Sequence, residues 1–418
     1  MKSEAFYKLL TKDFGHQPTT KQSLALQKLA KFITDGQKEQ VFLLKGYAGT
    51  GKTTIIGTIV KNLWQAKKKV VLAAPTGRAA KVITNYSGAQ AHTIHKKIYH
   101  PKKTGGANVE FTLQKNKFRD TVFIVDEASM IPDLPSTSKL FENGSLLDDL
   151  IQYVYSGHNC QLILIGDTAQ LPPVKSELSP ALDREKLSLN YQKEVVHIEL
   201  EEVMRQKGES DILHNATLLR QVLKEGFYDT FKFEISSAAD VVRLQDGYEI
   251  MDAINDAYSN LGHEETAIIV RSNKRANQYN QQIRERILFR ESEIAAGDFL
   301  MVVKNNYFWL KPSSEAGFIA NGDIVEILEI FSIKELYGFR FAEVKVQMVD
   351  YPKMKPFETV IMLDTLNLNA PSLPYEESNK LYQEVLKDYA HEKSKYKKFL
   401  AVKNNNYFNA LQVKFSYA

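Results

Sequence analysis

Cysteine is nearly absent. The single Cys160 in 418 residues excludes an internal disulfide and any zinc site built from several thiolates. It precedes the apolar run 162–165, so a small buried residue is expected there. Tryptophan is limited to Trp64 and Trp309, both expected to pack. No apolar run approaches the roughly 20 residues that cross a bilayer, and residues 1–10 lack a signal-peptide pattern. A soluble, cytoplasmic protein without a membrane partner is expected. With 44% hydrophobic and 25% charged residues, disorder and collagen-like structure are excluded as well.

The net charge of +4 conceals a strong polarity. Residues 61–120 hold 13 Lys and Arg against 2 Asp and Glu, whereas residues 125–260 hold 11 against 24. From Lys393 to the end there are six lysines and no carboxylate, interleaved with Tyr396, Phe399, Tyr407, Phe408, Phe415 and Tyr417. Basic blocks carrying aromatics suit a polyanion with stackable bases.

Short β-branched apolar runs at 41–44, 70–74, 122–125, 162–165, 195–200 and 267–270 alternate with longer helical patterns. Nearly continuous apolar strands are those covered on both faces, so the pattern predicts βαβ units around a parallel sheet. Between 95 and 121 a Lys/Gly-rich stretch with Thr104, Gly105 and Gly106 predicts a projecting hairpin. After Gly297, short strands with turn signals at Asn305-Asn306 and Asn321-Gly322 predict a small β domain.

Gly46-Tyr47-Ala48-Gly49-Thr50-Gly51-Lys52-Thr53 follows the first strand and fits G-x-x-x-x-G-K-[ST]. Its glycines turn backbone N–H groups inward around phosphate oxygens, and the helix that begins there adds its positive dipole end. Lys52 is expected to reach the terminal phosphates of ATP and Thr53 to ligate Mg²⁺. Asp126, ending the apolar run 122–125, is the expected second Mg²⁺ partner, and Glu127 is placed to polarise a water. A hydrolase needs such a base, whereas a kinase supplies an acceptor instead. Gln170, just beyond the strand 162–165, can sense a γ-phosphate.

Gly166-Asp167-Thr168-Ala169-Gln170-Leu171-Pro172-Pro173-Val174, Asp126-Glu127-Ala128-Ser129 and the loop from Gly46 to Thr54 resemble the superfamily 1 helicases of the RecD-like and Dda-like group. That resemblance implies RecA-like motor domains with an SH3-like β insert, and ATP-driven 5′ to 3′ translocation on single-stranded DNA and at single-strand/duplex junctions. It implies a setting in DNA repair or recombination. It extends to Thr76 and Arg78 as backbone-gripping residues, His92 and His95 in the next DNA-contact segment, and Asn273 in a later one. Gln22 would read adenine, and Arg205 would touch the γ-phosphate. His92 and His95 are also spaced as a metal pair, but no carboxylate or thiol lies nearby.

The expected organisation is an α/β motor unit at 1–200 with a wedge near 96–120, the start of a second RecA-like unit at 201–296, the insert with a basic helical extension at 297–408, and a return strand at 409–418. Two family segments that would complete the ATP site, one carrying an arginine, are not found. The expectation is therefore a cut-short chain that binds ATP but hydrolyses it poorly. A P-loop phosphotransferase and a non-catalytic ATP- and nucleic-acid-binding module remain alternatives.

Overall fold

The computed structural model describes the chain except residues 36–38, 104–108, 135–144, 174–175, 203–209, 226–229, 236–239, 263–264 and 312. It divides into two compact units, Met1–Arg243 and Leu244–Ala418.

The first unit begins with α1 (Ser3–Lys12) and α2 (Thr20–Asp35), followed by β1 (Gln40–Gly46) and α3 (Lys52–Asn62). Next come β2 (Lys69–Ala74), α4 (Gly77–Ser87), β3 (Ala91–Thr93) and the short α5 (Ile94–Ile98). The pair β4 (Tyr99–Lys103) and β5 (Val109–Leu113) precedes β6 (Thr121–Val125), α6 (Leu146–Tyr155) and β7 (Gln161–Gly166). The unit closes with α7 (Arg184–Tyr191), β8 (Glu194–Leu200) and α8 (Asp211–Glu225). Among the described residues β3-β2-β6-β7-β1-β8 form one sheet, parallel throughout.

The alternation within each strand explains the continuous apolar runs. Phe42, Leu44, Ile124, Ile163 and Ile165 point into a core shared with α1 to α4, while Val41, Leu43, Phe123, Val125, Leu162 and Leu164 face a second core with α5 and α6. Both faces are buried, as parallel sheets require. Cys160 is buried in the second core, as expected. Trp64 does not pack: it is 68% exposed, because the short turn after α3 carries its ring outward. The hairpin expectation is met by β4 and β5, which pair antiparallel; its Thr104, Gly105 and Gly106 lie outside the described residues.

The second unit holds α9 (Gly247–Asn260) and α10 (Asn273–Gln282), then β9 (Phe299–Val302), β10 (Ile324–Leu336), β11 (Phe339–Met348) and β12 (Phe357–Met362). It ends with α11 (Tyr375–Asp388), α12 (Lys395–Lys403) and β13 (Leu411–Phe415). The strands close into a barrel in the order β10-β11-β12-β13-β9, which fits the SH3-like insert. Asn321-Gly322 is a turn as expected, with Gly322 at φ +91°. Trp309 packs half-buried, its indole N–H donating to the Asn409 carbonyl at 2.8 Å.

Three expectations differ from this unit. The run 267–270 pairs with no strand among the described residues; Ile268 rests on the barrel core while Ile269 is 94% exposed. Residues 201–296 supply helices α8 to α10 and, among the described residues, no second parallel sheet. The segment 409–418, expected as a return strand of that sheet, contributes β13 to the barrel instead, between β9 and β12. Its inward Leu411, Val413 and Phe415 are satisfied by the barrel core, which is why apolar alternation alone could not assign the partner sheet.

Asp298 ties this unit together. It is fully buried and accepts hydrogen bonds from Arg284, Arg290, the Tyr417 hydroxyl and the Ala295 N–H. Burial and the Asp298 charge push the Tyr417 hydroxyl well above its ordinary value.

Candidate nucleotide site

In a parallel sheet, the loops leaving the carboxyl ends of the strands gather on one edge, and ligands bind there. Here that edge receives the loop after β1, Asp126 and Glu127 after β6, Asp167 and Gln170 after β7, Thr76 after β2, and His92 and His95 at β3.

The loop after β1 is held by its own geometry. Gly49 and Gly51 sit at φ +79° and +90°, and Gly51 forms the left-handed entry to α3. A Cβ on Gly46 would lie 2.7 Å from the Thr50 hydroxyl, so the loop leaves no space for a side chain there. Thr50 is buried and its hydroxyl donates to the Tyr47 carbonyl at 2.8 Å. Ala48 is exposed at the loop's tip, and Thr53 and Thr54 occupy the first turn of α3, Thr53 exposed. The Lys52 ammonium donates to the Gly46 and Tyr47 carbonyls at 2.6 and 2.9 Å. Burial lowers its pKa, opposed by Asp167, Asp126 and Glu127 in that order.

Gln22, the residue that the resemblance assigns to adenine, also makes contacts within the chain. It is 2% exposed, its Nε2 donates to the Thr50 carbonyl at 3.0 Å and its Oε1 accepts from the Thr19 N–H at 3.0 Å. One N–H and the oxygen of the amide bond to the chain, so Gln22 braces the loop from α2.

Opposite the loop, the Asp126 carboxylate accepts from the Tyr86 hydroxyl at 2.8 Å and the Glu127 N–H at 2.9 Å. Burial nonetheless raises its pKa, because those bonds and Lys52 do not fully offset desolvation. Glu127 lies at φ +53°, a left-handed turn that redirects the chain immediately after the strand. Its carboxyl is raised by burial first and by Asp126 second, and the Gln170 amide hydrogen-bonds to it. The Gln170 carbonyl oxygen accepts from the Ser129 hydroxyl at 2.9 Å. Gln170 thus bridges the segments after β6 and β7.

Thr53 and Asp126 offer a hydroxyl and a carboxylate, hard oxygen donors of the kind Mg²⁺ takes. The raised Asp126 and Glu127 describe a half-buried carboxylate pair offset by one ammonium, an environment that favours a divalent cation. The residues fit the ion. No cluster of three or more His, Cys, Asp or Glu able to hold a metal is found among the described residues.

The expected DNA-contact residues divide between the units. Thr76 caps α4 by accepting from the Ala79 N–H at 3.2 Å, Arg78 is exposed in the first turn of that helix, and His95 is exposed on α5. His92 is partly buried in β3, and its pKa is lowered by burial, then by Lys97 and Lys96. Asn273 begins α10 in the other unit. Arg205 lies outside the described residues.

Sequence reading missed four participants. Asp167, 5% exposed after β7, is the first carboxylate to act on Lys52, and an aspartate ending an apolar strand was its signal. Ser129 lay inside a quoted motif. Tyr86 and Arg220 had no signal: Tyr86 reaches Asp126 from the end of α4, and the Arg220 guanidinium on α8 lies 4.6 Å from the centre of the Tyr47 ring.

Fold and site together define a RecA-like P-loop NTPase. Residues 19–229 match the sequence pattern of a family described as an AAA domain, half of the chain, and the chain belongs to that family. Within it, the motifs identify a superfamily 1 member of the RecD/Pif1-like kind. An uncharacterised protein of Acanthamoeba polyphaga mimivirus, R530, is 25% identical over 80% of this chain and 68% of its own. The ATP-dependent DNA helicase dda of Enterobacteria phage T4 is 27% identical over 70% of this chain and 64% of its own. The ATP-dependent RecD2 DNA helicase of Deinococcus radiodurans is 31% identical over 33% of this chain and 17% of its own. Among solved structures, a Pif1 helicase at forked DNA is similar with a TM-score of 0.43 and 20% identity, covering 79% of this chain and 74% of that one. This chain therefore spans 68% of the mimivirus protein, 64% of the phage helicase and 17% of RecD2. No helix among the described residues is long and apolar enough to cross a membrane.

Proposed function

We propose that this chain is the motor of an ATP-driven DNA helicase that moves 5′ to 3′ along single-stranded DNA and acts at single-strand/duplex junctions. The observation that carries the proposal is the shared sheet edge: the phosphate loop, Asp126, Glu127 and Gln170 stand beside segments of the strongly basic stretch 61–120. The loop amides and Lys52 bind the phosphates, and Thr53 and Asp126 hold Mg²⁺, which supplies charge neutralisation at the phosphate oxygens when bound. Glu127, its carboxyl raised by burial, takes the proton of the attacking water. Gln170, bonded to both Glu127 and Ser129, relays the state of the terminal phosphate to the segment after β7. Arg205 is proposed to add positive charge to the transition state. Thr76, Arg78, His92, His95 and Asn273 are the proposed contacts to the strand, and β4–β5 the proposed wedge.

The test is ATP turnover with and without a single-stranded oligonucleotide. Glu127→Gln is expected to retain Mg-ATP affinity while turnover drops about 10²- to 10⁴-fold, the usual worth of a general base. Lys52→Ala is expected to lose nucleotide affinity. Turnover indifferent to single strands, with the phosphoryl group recovered on an acceptor, would establish a phosphotransferase instead.

A further inference from the structure

Helices α11 and α12 pack on the outside of the barrel, where Leu381, Val385 and Val402 meet Phe339, Phe341 and Val360. Their charges differ sharply. On α11, Lys380 and Lys387 pair with Glu377 and Glu384. On α12, Lys395, Lys397, Lys398 and Lys403 stand with no carboxylate on the helix, and none of them forms a salt bridge among the described residues, although the Lys398 ammonium donates to the Ala390 carbonyl at 3.1 Å. Glu392 faces Lys397, but its carboxylate already accepts the Ser394 N–H.

The placement of the lysines has a cost. Lys395 and Lys397 occupy the first turn of α12, where the positive end of the helix dipole disfavours cations and where the helix itself holds no acidic residue. Nothing in the packing of α12 requires this, since Val402 provides its buried contact. Lys403 lies over the Phe399 and Phe408 rings at 5.7 and 5.8 Å, and burial first, then the Lys403 charge, hold the Lys304 ammonium below its ordinary value. Tyr396, between two exposed lysines, is 53% exposed.

An excess of lysines along one helix attracts a polyanion. An exposed aromatic among them favours one whose bases are unstacked, because a duplex hides the faces of its bases. We propose that α12 is a contact surface for single-stranded nucleic acid, with Lys395, Lys397 and Lys398 on the phosphates and Tyr396 stacking on a base. The inference rests on the proposed function and adds to it a binding surface in the barrel unit, separate from the nucleotide site.

The 418-residue chain is titrated against a fluorescein-labelled oligo(dT) between 50 and 300 mM NaCl, and binding is read by anisotropy. Replacing Lys395, Lys397 and Lys398 with Gln is expected to reduce the slope of log affinity against log salt by about 2, at about 0.7 per lost phosphate contact, with Mg-ATP affinity unchanged. Tyr396→Ala is expected to weaken binding about 5- to 100-fold at an unaltered slope, the worth of one stacked base. Lys397→Gln alone, at an exposed helical position, reads the same effect at about 0.7 should the triple variant melt early. Wild-type binding with an unchanged slope in the lysine variants overturns the inference and leaves the motor proposal standing. Absence of wild-type binding to oligo(dT) overturns the motor proposal itself. An equal slope loss on a blunt duplex overturns the single-strand assignment.

Discussion

Gly51→Ala tests whether the phosphate loop is built as its contacts indicate. The added methyl must tolerate φ +90°, which costs about 1–2 kcal/mol for an L-residue. It also meets Gln22 Nε2 at 2.5 Å, so the amide must leave, orphaning the Thr50 carbonyl and the Thr19 N–H. Leaving a buried polar group unpaired costs about 1–3 kcal/mol. Local stability of β1 and α3 is therefore expected to fall by about 2–5 kcal/mol. Gln22→Ala alone is expected to cost about 1–3 kcal/mol by the same orphaning. In the double variant the methyl meets no amide and the orphaning occurs only once, so the two single effects exceed the double by about 1–3 kcal/mol. Hydrogen exchange on peptides spanning residues 40–62 measures this locally, which suits a chain of two units. Additivity within about 0.5 kcal/mol would refute the brace, because uncoupled sites add.

Tyr86→Phe keeps the ring but removes a donor from Asp126, so the Mg²⁺ concentration at half-maximal ATP turnover is expected to shift severalfold while metal-free ATP affinity is unchanged. Asp298→Ala leaves Arg284, 8% exposed, as an uncompensated buried charge, and a loss of about 3–5 kcal/mol in the barrel unit is expected by thermal unfolding. Glu343 is held down at about 2 by hydrogen bonds from Lys334, then Ser332, then Tyr407. Because its folded pKa is depressed, its contribution is fully present above the ordinary 4.5 and fades as pH falls toward about 2. The stability gap between wild type and Glu343→Gln, read by urea unfolding, is expected at pH 6 and should shrink at pH 2.5.

Local signals were legible wherever chemistry and backbone are fixed within a few residues. The glycines and Lys52 of the phosphate loop, the apolar strands that end in Asp126 and before Gln170, and the lysine-rich stretch from 393 all follow from short-range pattern. A loop that cradles phosphate needs those residue types at that spacing, and a strand covered on both faces must be apolar throughout. Long-range choices were not legible. That β13 closes a barrel, that the run 267–270 pairs with no strand, that Gln22 braces the loop and that Tyr86 holds Asp126 across 40 positions depend on which surfaces meet. Apolar alternation states that a face will be buried and is silent about its partner; a hydroxyl or an amide carries no record of the distant group it will bond. Chain pattern therefore determined the chemistry available to this protein, and tertiary packing decided which side chains hold that chemistry in place.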